Sequence, residues 1–78
     1  MNMTGQLKSQ LREAINGSGQ PWTVTLDGQT LTIESNGLGL EFGFDGALNE
    51  DGDPISTAEL QSAVDALQAV IDTHNAGL

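Results

Sequence analysis

Two turn dipeptides, Asp27-Gly28 and Asn36-Gly37, interrupt a stretch of alternating apolar and polar residues that runs from Trp22 to Phe44. Asp-Gly and Asn-Gly are favoured where the central residues of a two-residue hairpin loop take positive φ. Such a loop also fixes the pairing register. Centred on Asp27-Gly28, it pairs Leu26 with Gln29, Val24 with Leu31 and Trp22 with Ile33. Centred on Asn36-Gly37, it pairs Ser35 with Leu38, Ile33 with Leu40, Leu31 with Phe42 and Gln29 with Phe44. Side chains alternate along a strand, so both hairpins place their apolar residues on one face. Thr23, Thr25, Thr30, Thr32, Glu34 and Glu41 take the other face, with Gly39 and Gly43. The stretch predicts a three-stranded antiparallel meander with strands over residues 22–26, 29–35 and 38–44.

A helix is predicted on each side of it. The first covers residues 4–16, with Thr4 as N-cap, Leu7, Leu11, Ala14 and Ile15 on one face, and Asn16-Gly17 as the stop. The second covers residues 57–75 and opens on a capping box, Ser56 with Glu59 three residues on. Ile55 and Leu60 form the matching hydrophobic staple. Its apolar stripe is Leu60, Val64, Leu67, Val70 and Ile71, with Gln61, Asp65, Gln68 and Asp72 on the wet side. A three-stranded sheet with one apolar face needs a cover. The chain is therefore expected to be a single α+β domain over residues 1–78, both helices packed on one face of the sheet. Its outer strands are edges open to strand addition.

Size and composition narrow the function. With 78 residues and no Cys, neither a disulfide framework nor a thiolate metal site supports the fold. Met1 to Gln10 is polar and lacks the apolar core of a signal segment, and no apolar run approaches membrane-spanning length. A soluble, cytoplasmic protein is the expectation. Eleven acidic residues face only Lys8 and Arg12, for a net charge of −9. That field repels nucleic acid and anionic membranes and attracts basic protein surfaces.

Catalytic and metal chemistry find little footing. Asn49, Asp51 and Asp53 have the alternate spacing of a calcium loop, but Pro54 stands where that loop needs Gly and Leu60 where it needs Glu. His74, the sole histidine, lacks companion ligands and reads as a helix-end residue that meets the last carbonyls. No serine sits in a strand-turn-helix elbow, and the glycines follow strand alternation instead of opening a helix. Trp22 belongs to the apolar sheet face and packs in the core. We expect no enzyme, no cofactor and no metal.

The remaining signal is where the acids go. Glu34 and Glu41 share the open sheet face, Asp45, Glu50, Asp51 and Asp53 follow the third strand, and Asp65 and Asp72 lie on one side of the second helix. A rigid acidic surface can occupy a basic groove made for duplex DNA. With its leading helix (Leu7, Leu11, Ile15), its meander from Trp22 to Phe44 and its acidic stretch from Asp45 to Asp53, the chain resembles the small acidic anti-CRISPR proteins of phages and mobile elements. The resemblance implies inhibition, in an infected host's cytoplasm, of a CRISPR effector whose DNA-reading surface it covers. The eight acids named are then the expected partner contacts. Two other classes fit the same sequence: a small acidic chaperone or immunity-type protein bound to a cognate effector, and a homodimeric structural adaptor.

Overall fold

A computed structural model describes residues 3–78. Its elements run α1 (Met3–Ile15), β1 (Thr23–Asp27), β2 (Thr30–Ser35), β3 (Leu38–Gly43) and α2 (Thr57–Ala76). The strands form one antiparallel sheet in the order β1-β2-β3, so the protein is α+β, as its pattern of turns and stripes implies. Helix α1 begins one residue before the expected cap, which leaves Thr4 inside the first turn. Gly17, at φ 78°, ends the helix where the sequence places the stop.

The second hairpin has the expected register. Ser35 pairs with Leu38, Ile33 with Leu40 and Leu31 with Phe42, across a turn in which Asn36 and Gly37 both take positive φ. The first hairpin does not. Val24 pairs with Ile33, Leu26 with Leu31 and Asp27 with Thr30, so the loop is Gly28-Gln29. Only Gly28 has positive φ there, at 61°, which suits a turn with glycine at its first central position. Asp27 thus stays in the strand and avoids the left-handed region. Moving the loop by one residue slides the pairing by two, an even shift that keeps every side chain on its expected face. Trp22 loses Ile33 as its partner and lies just before β1.

One apolar layer joins helices and sheet. Leu7 and Leu11 from α1, Val24, Leu31 and Ile33 from the sheet, and Ala63, Leu67 and Ile71 from α2 form the buried core. On α2 the buried line is Leu60, Ala63, Leu67 and Ile71, while Val64 and Val70 are half-buried. Ala63 therefore takes a place that the bulkier valines were expected to fill. A small residue there lets the helix approach closely. Both helices run in the same direction: Met3 and Ile55 meet near Phe44 at one end, Ile15 and His74 near Ser18 at the other. Helix α2 lies on β1 and α1 lies on α2, and neither has as close a relation to β3. Strand β3 is accordingly exposed along its length, apart from half-buried Phe42.

Long-range polar bonds tie the linker before β1 to the end of α2. Asn75 grips the backbone of Trp22 twice, accepting from its N–H and donating to its carbonyl, each at 3.0 Å. His74 Nε2 lies 3.0 Å from the Gln20 carbonyl. A carbonyl only accepts, so Nε2 carries the proton. This histidine was expected to serve the final carbonyls of its own helix; it instead reaches across 54 positions of sequence. The Trp22 indole N–H donates to Ser18 Oγ, and the buried Ser35 hydroxyl donates to the Pro21 carbonyl at 2.7 Å.

Candidate functional site

The acidic stretch after β3 is an ordered loop. Ala47 N–H returns to the Phe44 carbonyl and Ile55 N–H to the Ala47 carbonyl, which brings Leu48 and Pro54 together as an isolated antiparallel bridge. Asn49 organises the tip. Its side-chain oxygen accepts from the N–H groups of Asp51 and Asp53, each at 3.0 Å, and its own N–H donates to the Asp53 carbonyl at 2.7 Å. This is the local turn chemistry of asparagine, and it occupies the oxygen that would lead a calcium loop. Among the described residues no group of His, Cys, Asp and Glu is placed to hold a metal ion.

Glu59 fastens this loop to α2. The Ser56 hydroxyl accepts from the Glu59 N–H at 3.1 Å, and the Ser56 N–H donates back to the Glu59 carboxylate, completing the expected capping box. Asn49 Nδ2 donates to the same carboxylate oxygen at 3.1 Å. That bond, more than the bonds from Ser56, holds the Glu59 carboxyl below the ordinary glutamate value, against a smaller opposing effect of desolvation. A lowered folded-state pKa stabilises the protein fully above the ordinary glutamate value, and the contribution is lost as pH falls through the lowered one. Glu59→Gln should therefore lower stability at neutral pH and converge with the parent in acid, which flattens the acid limb of the stability curve. Urea midpoints measured from neutral to acid pH check this, and identical acid limbs would refute it.

The eight acids expected to bind a partner occupy three places. Glu34 and Glu41 are exposed on the sheet face turned away from the helices, diagonal to one another across the β2–β3 pairing. Asp45, Glu50, Asp51 and Asp53 are exposed in the ordered loop at the end of the molecule where Met3, Phe44 and Ile55 meet. Asp65 and Asp72 lie on the exposed side of α2, accepting from the amides of Gln61 and Gln68 at 3.0 and 2.8 Å. The loop gathers four of the eight. The sheet pair and the helix pair look out from opposite layers, so no flat partner touches both. Lys8 and Arg12 line a groove between α1 and α2, away from the sheet's outer face.

The recess beside the loop is lined by Met3, Phe44, Leu48, Ile55 and Glu59, with mixed polar and apolar walls, and opens to solvent. Asn49 is the organising residue that the sequence reading passed over as a spoiled calcium ligand; an Asn followed by acids and a glycine is its signal. Leu38 and Leu40, expected under the helices, are 77% and 41% exposed. No helix among the described residues is long and apolar enough to cross a membrane. No known protein family, no curated protein and no solved structure matches the chain.

Proposed function

We propose that this chain is a non-enzymatic, protein-binding inhibitor that acts in the cytoplasm of an infected host. Its acids occupy a basic, DNA-reading surface of a CRISPR effector in the manner of an anti-CRISPR nucleic-acid mimic. The observation that carries the reading is the distribution of charge. A net charge of −9 includes only two cations, and both sit on α1. The ordered loop therefore presents Asp45, Glu50, Asp51 and Asp53 with no basic side chain of its own. Backbone bonds to Asn49 hold the loop's tip, so little conformational freedom is lost when a cationic groove closes over it. Attraction of this kind accelerates encounter and weakens steeply with salt.

The test is capture of CRISPR effectors on the tagged protein, followed by competition with target DNA over a range of salt. A complex that excludes DNA and dissociates as salt rises supports mimicry. The triple variant Glu50→Lys, Asp51→Lys, Asp53→Lys should then weaken inhibition at least about ten-fold, since each reversal replaces an attraction by a repulsion. A folded triple variant with undiminished inhibition removes the loop from the interface. Exposed Leu38 and Leu40 favour a second reading, a chaperone or immunity-type protein whose affinity rests on apolar contact and survives salt.

A further inference from the structure

Strand β3 has the features of an unprotected docking edge. It is an outer strand of the sheet, and edge strands leave one row of N–H and C=O groups unpaired. Antiparallel pairing alternates, so every second residue turns its polar groups to the neighbouring strand. Phe44 N–H donates to the Gln29 carbonyl at 2.8 Å, which fixes the phase. Leu38, Leu40 and Phe42 face their backbone groups toward β2, and Gly39, Glu41 and Gly43 face theirs outward. Proteins commonly blunt such an edge with lysine, proline or a bulge. Here β3 is six residues long, contains neither residue and pairs one-to-one with β2 throughout. The two glycines place no side chain over the open backbone.

Its two faces differ in chemistry. On the helix side Leu38 and Leu40 are 77% and 41% exposed, an apolar strip continuous with the core. On the outer side Glu41 and Glu34 are exposed, with Gly39 opposite Glu34. We propose that this edge accepts an extended segment of a partner protein as a fourth strand, its side chains alternating basic and apolar. Residues aligned with Gly39, Glu41 and Gly43 rise on the outer face, where a lysine or arginine meets Glu41 and Glu34. The intervening residues lie beside Leu38 and Leu40 and extend the apolar layer. A second copy of this chain fits poorly. The two-fold register that matches Gly39 to Gly43 sets Glu41 against Glu41, and like charges directly opposite destabilise a pair. The mode requires only a basic strand and stands independently of inhibition by DNA mimicry.

The probe is a capped synthetic peptide of about eight residues, a usual strand length, alternating valine and lysine. Hydrogen exchange and amide chemical shifts of the intact protein provide the readout. Saturation should slow exchange of the Glu41 and Gly43 amides about ten-fold, the effect of one added hydrogen bond, and leave loop amides at Asp51 and Asp53 unchanged. Gly43→Pro deletes an outward N–H while sparing the bonds to β2, and a side chain at that position meets open space. It should weaken binding about ten-fold. Leu38→Gln, at a position already exposed, should weaken binding without altering charge and serves if the proline variant unfolds. A peptide of the same composition with its lysines and valines in separate blocks should bind more weakly. Equal affinity for both peptides, or protection confined to the acidic loop, overturns strand docking. So does protection of the β3 edge that appears with protein concentration alone, which would identify a second copy as the occupant.

Discussion

Leu67→Ala should lower stability by about 2–5 kcal/mol, the range for leucine truncation in a packed core. Leu67 is fully buried on α2 and belongs to the cluster that contains Leu11 of α1 and Leu31 and Ile33 of β2. Truncation removes contact with both layers at once. The sheet and α1 are fixed by their own hydrogen bonds, so the space collapses only in part and a cavity remains. A domain of 78 residues has about 4–12 kcal/mol of stability by the usual per-residue scale. There is no disulfide to add to it, and a net charge of −9 acts against the compact state. The variant should therefore lose a large share of its total stability. Urea titration followed by the fluorescence of Trp22, the single tryptophan, measures the change. Val70→Ala on the same helix, at a half-buried position, should cost about 1 kcal/mol. If the two variants lose equally, the core does not centre on the line from Leu60 to Ile71.

Local chemistry made much of this fold legible in the sequence. Ser56 and Glu59 form their capping box within four residues, and Asn36-Gly37 sets the β2–β3 register because both residues can take positive φ. Asp27-Gly28 was ambiguous for a physical reason. A glycine that supplies positive φ serves at either central position of a tight loop, and the next residue decides nothing. Parity survived the error, and so the core face did too. Gly39 carried a hidden constraint: an added Cβ would meet the Ile33 carbonyl and come within 2.7 Å of the Glu34 Cβ. Alternation alone gave it the look of a neutral strand glycine. The exposure of β3 was illegible because Leu38 and Leu40 have the same pattern as covered residues. How far two helices reach across three strands is a property of their packing. Charge was legible as a total and only partly as a surface. The loop acids cluster as their proximity in sequence requires, whereas Asp65 and Asp72 are separated from Glu34 and Glu41 by the thickness of the domain.

Asn75→Ala should cost about 2–3 kcal/mol, although Asn75 contributes nothing to the apolar core. Its amide makes two 3.0 Å bonds to the N–H and carbonyl of Trp22, a part-buried contact between residues 53 apart in sequence. Alanine leaves both backbone groups without their partner in a place where water reaches them poorly, and a stranded polar group costs more than a made bond contributes. Asn75→Asp separates the two halves of the clamp. The carboxylate can accept from the Trp22 N–H, but its other oxygen then faces the Trp22 carbonyl, oxygen against oxygen. That contact raises the pKa of the introduced acid, since only its protonated form can donate to the carbonyl. A raised folded-state pKa for an acid means that its deficit relative to the parent is largest at neutral pH and shrinks as pH falls through that value. Urea midpoints of the two variants and the parent, compared at each pH, test this sign. The alanine deficit should stay constant with pH while the aspartate deficit narrows toward acid. A loss below about 0.5 kcal/mol for Asn75→Ala would mean that water replaces the clamp. The entry into β1 would then be ordered by Ser18, His74 and Ser35, whose bonds to the same linker remain in the variant.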